Sequence, residues 1–172
     1  MAITLHGTRA SNTDVLTPDF HGAIIQVLST TKTDTFSSSL SSGASTAVTG
    51  LTVDITPTST DHKIFVICSV NGHNGVESGG TFLIKRDSTS ILLPASGTGV
   101  EGSITCLGAS SDALPSTNTI QGFDSPSSTS ALTYSVTAFN TSSVTRTVSV
   151  NSTDGTESAR GCSTITVMEV VA

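Results

Sequence analysis

Apolar and polar residues alternate along several stretches of the chain with the spacing of β-strands. Leu51, Val53 and Ile55 alternate with polar residues before Pro57, which predicts a strand with one buried face. The segment 63–70 is almost continuously apolar, and we expect it to be a central strand that is covered on both faces. No stretch carries apolar residues at helical spacing over three turns. The pattern therefore predicts an all-β protein.

The second half of the chain has the same character. Residues 132–138 alternate clearly and predict a strand, and 140–143 predict a turn. We expect 144–150 to be the return strand of a hairpin, in which Arg146 shares a face with three valines. The segment 163–171 closes the chain as a strand. One face of that strand carries Ile165, Val167 and Glu169. About eight to ten strands at this spacing indicate an antiparallel β-sandwich of the jelly-roll kind.

The first residues of the chain differ from the rest because they show no periodic pattern. We interpret residues 1–20 as an extended N-terminal arm and residues 21–172 as one sandwich domain. A segment of this kind is disordered unless something holds it. The arm would be held by its own domain, by a neighbouring copy or by another protein, and we favour an intermolecular contact. The residues predicted to make this contact are Ile3, Leu5, Leu16 and Phe20. The first two would add an edge strand to the partner, and the last two would anchor the base of the arm.

Composition and charge narrow the classes of function. Ser and Thr account for 59 of the 172 residues, only 12% are charged and the net charge is −6. The seven basic residues are scattered singly, which argues against binding to nucleic acid. No apolar run reaches the length of a membrane span, and the N-terminus lacks the pattern of a signal peptide. Three cysteines without close pairing fit folding in a reducing cytoplasm, without a disulfide scaffold.

Two glycine-rich stretches resemble binding motifs only superficially. Gly97–Gly102 matches the dinucleotide pattern G-x-G-x-x-G, but a strand is predicted where the required helix should begin. His73 and Glu77 share a glycine-rich loop, yet a metal ion needs at least a third ligand. His62 follows Asp61, where we expect exposure to solvent. We therefore predict no cofactor and no metal site.

Catalytic motifs are also missing from the sequence. Asn151, Asp154 and Glu157 offer oxygen atoms but lack the alternating ligands of a calcium loop. No serine lies in a G-x-S-x-G elbow, and Cys68 lies in an apolar run where we expect it to be buried. A carboxylate pair for glycoside hydrolysis needs only proximity in space, so a polysaccharide hydrolase is a third and least favoured class. We expect a protein that is not an enzyme.

Seven stretches carry a resemblance to a known group of proteins. They are Thr31–Phe36, Val48–Pro57, Lys63–Val66, Phe82–Asp87, Phe123–Pro126, Ala131–Tyr134 and Ser163–Val170. In this order they resemble a β-structured domain that is common in virion proteins of tailed bacteriophages, especially marine and cyanobacterial ones. The resemblance covers about residues 22–172 and is most specific in Thr164–Glu169. It implies a non-enzymatic, tail-fibre-like or structural component of the virion.

The layout of the chain favours one kind of virion protein. A short arm before one compact domain, without a coiled coil or repeat, is the plan of a capsid decoration or cement protein on the head surface. The alternative is a tail-fibre or receptor-binding module that recognises a host-surface glycan. The resemblance further implies a homotrimer that binds the major capsid protein or another virion protein. We expect the protein in virions assembled in the host cytoplasm.

Overall fold

The computed structural model describes residues 22–74, 80–95, 102–106, 115–152 and 160–172. These residues form eleven strands and no helix, which confirms the all-β prediction for this part of the chain. The strands are β1 (Ile24–Lys32), β2 (Phe36–Leu40), β3 (Ser45–Ile55), β4 (Lys63–Asn74), β5 (Gly80–Arg86), β6 (Thr89–Ile91), β7 (Ile104–Cys106), β8 (Ser116–Asp124), β9 (Leu132–Asn140), β10 (Arg146–Val150) and β11 (Ser163–Val170).

Six strands form the first sheet, which we call sheet A, and all their pairings are antiparallel. The sheet is four positions wide, because two pairs of strands lie end to end. β1 pairs with β11, β11 with β4, and β4 with β8. Farther along β4, its neighbour on the β11 side is β10, and β10 pairs in turn with β2. Thus β2 continues the line of β1, and β10 continues the line of β11.

Five strands form the second sheet, sheet B, which is also antiparallel. Its order is β3, β9 and β5, followed by β6 and β7 end to end along the far side of β5. The eleven described strands therefore outnumber the eight to ten that the sequence predicts, because two strands that lie end to end share one position in a sheet. The antiparallel β-sandwich itself is confirmed.

The core lies between the two sheets and is filled by alternate side chains of each strand. On β4 the inward side chains are fully buried: Ile64, Val66, Cys68 and Val70. Phe65 and Ile67 point away from the core and are half-buried. The prediction that this strand is covered on both faces is therefore wrong, because sheet B covers only one side of sheet A. Its central position is confirmed by strands on both of its edges.

The predicted hairpin of residues 132–150 is also wrong. β9 belongs to sheet B and β10 to sheet A, so the chain crosses between the sheets at this point. Asn140 holds the crossing: its side-chain amide donates to the carbonyls of Leu40 and Val144, each at 2.8 Å. Arg146 lies half-buried at the start of β10, and Val144 lies outside the strand. The closing strand is confirmed as β11, with its three predicted side chains buried.

Candidate functional site

A buried ion pair with a tyrosine joins the two sheets. Asp124 ends β8 of sheet A, while Arg86 and Tyr134 lie on β5 and β9 of sheet B. Nη1 of Arg86 donates to both carboxylate oxygens of Asp124 at 2.7 Å, and the Tyr134 hydroxyl donates to Oδ2 at 2.7 Å. Tyr134 is fully buried and Asp124 is 9% exposed. We call this group the intersheet clip.

The electrostatics of the intersheet clip keep the Tyr134 phenol neutral and the Arg86 guanidinium charged. Burial raises the pKa of the Tyr134 phenol, and the hydrogen bond to the Asp124 carboxylate raises it further, so the phenol stays protonated. Burial alone would lower the pKa of Arg86, but the hydrogen bond and charge attraction with Asp124, together with the contact with Tyr134, outweigh that effect, and the net shift is upward. The carboxylate already accepts three hydrogen bonds. The clip therefore braces the sandwich and is poorly suited to proton transfer.

A second polar group lies at the end of the sandwich where β11 finishes. Glu169 is fully buried, and its Oε1 accepts hydrogen bonds from the backbone N–H of Thr58 at 2.6 Å and from the Thr58 hydroxyl at 2.7 Å. Nδ1 of His62 lies 2.8 Å from the same oxygen. Nε2 of Gln26 donates to Oε2 at 3.3 Å. Glu169 thus ties the β3–β4 loop to sheet A.

Burial and hydrogen bonding act in opposite directions on Glu169. Burial alone would raise the pKa of its carboxyl, but the hydrogen bonds from His62 and Thr58 outweigh it and hold the pKa below its usual value. His62 was expected in solvent, yet only 16% of its side chain is exposed. The sequence gives no signal for this contact, because 107 positions separate the two residues.

A third group stitches sheet A where the strands lie end to end, a level that we call the seam. Asn151 adopts a left-handed backbone conformation with φ of 58°, which asparagine tolerates better than most residues. Its side-chain amide donates to the carbonyls of Lys32 and Asp34, at 2.9 and 3.0 Å. Its Oδ1 accepts from the Ser163 hydroxyl at 2.7 Å, and that hydroxyl accepts from the N–H of Asn71. These bonds satisfy polar groups that the interrupted strands leave without ladder partners.

The seam also carries a buried cation. The Lys32 side chain is 1% exposed, and its Nζ lies 2.8 Å from Oδ2 of Asp34, whose side chain is 77% exposed. The hydrogen bond from Lys32 lowers the pKa of Asp34. The ion pair thus lets a buried ammonium reach a carboxylate at the surface, which explains how the lysine is tolerated there.

The residues that the sequence singled out for chemistry do not converge on one site in the described structure. His73 is buried on β4, and its Nδ1 has no hydrogen-bond partner. Glu77, Asp154 and Glu157 lie outside the described residues, as do 97–101 of the glycine-rich string. Among the described residues, no three His, Cys, Asp or Glu side chains come together as possible metal ligands.

Two cysteines have contrasting environments. Cys68 is buried in the core, as predicted, and burial raises the pKa of its thiol to about 12. Cys162 is exposed just before β11, and both thiols are free. A buried, protonated thiol is a poor nucleophile, so Cys68 serves as a small apolar side chain.

The predicted contact residues of the arm, Ile3, Leu5, Leu16 and Phe20, lie outside the described residues. The point where the chain enters the sheet is described. The N–H of Gly22 donates to the carbonyl of Val171 at 2.8 Å, and the N–H of Val171 donates to the carbonyl of Ala23 at 2.9 Å. The strand that follows, β1, carries four large apolar side chains that are more than a third exposed. They are Ile24, Ile25, Val27 and Leu28.

No protein-family model matches the chain, and no curated protein is significantly similar to it. The described residues contain no helix that is long and apolar enough to cross a membrane.

Proposed function

We propose that the protein is a non-enzymatic structural component of a bacteriophage virion, and specifically a decoration protein on the outside of the head. The observation that carries the proposal is a sandwich braced by buried polar contacts, in which the chain enters beside an exposed apolar strand. The intersheet clip and the Glu169 contacts brace different parts of the sandwich, and β1 offers apolar side chains where the arm begins. A braced domain with an attachment segment at one edge suits a coat protein. The resemblance over residues 22–172 points to the same class.

The sandwich also fits the finer jelly-roll proposal. Numbered along the chain, the four positions of sheet A are the first, eighth, third and sixth strands, counting end-to-end strands as one. Sheet B then holds the second, seventh, fourth and fifth. A double Greek key of eight strands in two sheets has this alternation, and jelly rolls are common in viral capsid proteins. This order supports the proposal of a virion coat protein.

Attachment is proposed to run through the arm, residues 1–20. Gly22 and Ala23 extend the pairing of β1 with the end of β11, so the arm begins at an edge of sheet A. We propose that Ile3 and Leu5 add an edge strand to the major capsid protein or another virion protein, with Leu16 and Phe20 anchoring the base of the arm. We propose that three copies of the chain form a homotrimer in the virion.

The location of the protein in the virion distinguishes a decoration protein of the head from a component of the tail. Virions labelled with an antibody against this protein, imaged by cryo-electron microscopy, should carry the label on the head surface. Label confined to the tail would refute decoration and would favour the alternative, a fibre or receptor-binding module for a host glycan. In that case, purified protein should bind host cells and lose this binding when the surface glycan is removed.

The role of the arm can be measured separately. Particles that lack the protein are incubated with purified chain, pelleted, and assayed for bound copies. Deleting residues 2–17 should leave the circular dichroism spectrum of the sandwich intact and abolish binding. Leu5→Ser should weaken binding, whereas the neighbouring control Thr4→Ser should not. Unchanged occupancy after the deletion would place the attachment surface on the sandwich.

A further inference from the structure

Four apolar side chains form a straight row across the outer face of sheet A. Val27 on β1 lies opposite Met168 on β11, Met168 lies opposite Phe65 on β4, and Phe65 lies opposite Phe123 on β8. The rings of Phe65 and Phe123 are in contact, with centroids 4.8 Å apart. In the single chain Phe123 is 57% exposed and Val27 is 56% exposed. We call these four side chains the apolar row.

The apolar row is a feature of one end of the sheet and is not typical of its outer face. The next level of pairing across the strands brings one apolar residue among three polar ones: Ser29, Thr166, Ile67 and Gln121. The level after that is entirely Ser and Thr: Thr31, Thr164, Ser69 and Thr119. On the other side, the row continues along β1 to exposed Ile24 and Ile25. Apolar side chains concentrated in this way on a water-facing sheet mark a contact surface.

The distribution of charge indicates what kind of partner fits. Lys63 is the one charged side chain among the described outward positions of sheet A, on a chain whose net charge is −6. The outward face of sheet B, in contrast, carries the carboxylates of Asp54 and Asp87 around Thr133, together with the cation Lys85. Two copies of an acidic chain repel each other through their acidic faces. The apolar row is therefore the described face on which two copies can meet without opposing carboxylates.

We propose that the apolar row is the surface through which this chain binds a second copy of itself. An uncharged row of apolar side chains requires no matching charge, so the same row on two or three copies can pack together around a symmetry axis. The entry of residues 1–21 at Val171 adjoins the row, because Val170 pairs with β1 one step beyond Met168. Self-association through the row would therefore bring Gly22 of each copy to the rim of the same interface. The inference does not depend on the virion proposal.

The test is the mass of the full chain in solution, measured by sedimentation equilibrium over a range of concentrations. The wild type should have a mass that is a multiple of the chain mass. Phe123→Glu and Val27→Glu should each raise the dissociation constant at least about tenfold, because each places a carboxylate in the apolar row. Val144→Glu is the matched control, since Val144 is 50% exposed but lies between β9 and β10, and it should leave the mass unchanged.

Thermal unfolding, followed by circular dichroism, shows whether each variant is folded. If Phe123→Glu does not fold, Phe123→Ser replaces it as an uncharged variant at the same position. A wild-type chain that stays monomeric up to millimolar concentration would overturn the proposal. So would Phe123 and Val27 variants that assemble as the wild type does. Equal weakening of self-association by Val144→Glu would show a general effect of the added charge and would also overturn the proposal. Loss of assembly only on deletion of residues 2–17 would assign the contact to the arm.

Discussion

The intersheet clip can be tested by removing a single oxygen atom. In Tyr134→Phe the ring stays in the core and only the hydroxyl that donates to Asp124 is lost. In Asp124→Asn the side chain keeps its shape but loses the charge that pairs with Arg86. The matched control is Asp54→Asn, because Asp54 also accepts a short hydrogen bond, at 2.6 Å from the Thr133 hydroxyl, but is exposed.

The expected magnitudes follow from burial and from the partners that remain. A hydrogen bond to a charged group contributes about 1.5–3 kcal/mol. We expect Tyr134→Phe to cost about 1.5–2 kcal/mol, because Asp124 still accepts from Arg86 after the change. Breaking a buried ion pair costs about 3–5 kcal/mol. The Arg86 side chain is 21% exposed, so we expect the lower end, about 3 kcal/mol, for Asp124→Asn. The control should stay within about 0.5 kcal/mol of wild type.

The assay is urea unfolding followed by far-ultraviolet circular dichroism. Fluorescence is unsuitable because Tyr134 is the single tyrosine and the chain has no tryptophan. A lower midpoint with an unchanged slope reports a change in the free energy of unfolding. The double variant should cost less than the sum of the single ones, because both remove the same hydrogen bond. A Tyr134→Phe protein as stable as wild type, or an Asp54→Asn protein as unstable as Asp124→Asn, would refute this account.

Three further predictions concern the core, acid stability and thiol reactivity. Phe82→Ala should lower the free energy of unfolding in urea by about 3–5 kcal/mol, because Phe82 is fully buried. Phe65→Ala should lower it by about half as much, because Phe65 is half-buried on the outer face. Equal losses would contradict the assignment of the two residues to different faces. Folding lowers the pKa of Glu169. The stability that its ionised carboxylate contributes is therefore present above the unfolded-state pKa of about 4.3, and it is lost as the pH falls through the folded-state pKa. The difference in the free energy of unfolding between the wild type and Glu169→Gln should therefore shrink as the pH falls through the folded pKa of Glu169, and a constant difference down to acid pH would contradict this prediction. In the native protein a thiol reagent should modify Cys162 but not Cys68, as read by mass spectrometry, and early modification of Cys68 would show that it is accessible.

The period of the hydrophobic pattern predicted the inner faces of the strands because the core selects alternate side chains. Leu51, Val53 and Ile55 are buried as their alternation indicates, and so is Glu169, which shares a face with apolar residues. The same pattern does not show which strands pair with each other. Residues 144–150 have the pattern of a hairpin strand, but a crossing held by Asn140 places them in the other sheet.

The polar clusters and the outer face escaped prediction for different physical reasons. Asp124 and Arg86 come together through the packing of two sheets, which local sequence does not encode. Phe65 was assigned to a covered face because an apolar residue on a strand has the same pattern whether the sandwich or another molecule covers it. The strand period thus indicates which residues share a face but does not indicate which partner covers that face.

The seam of sheet A makes the fold suited to carrying inserted peptides. Residues 153–159 connect two strands that already lie end to end beside β4. Additional residues in this connection would shift the register of neither strand, because Asn151 and Ser163 fix its two ends by hydrogen bonds to each other and to β4. β4 itself runs unbroken across the seam and keeps both halves of the sheet in line. The sandwich can therefore serve as a scaffold for peptide display, with an insertion site between Ser152 and Gly161 whose described ends lie at a different level of sheet A from the apolar row.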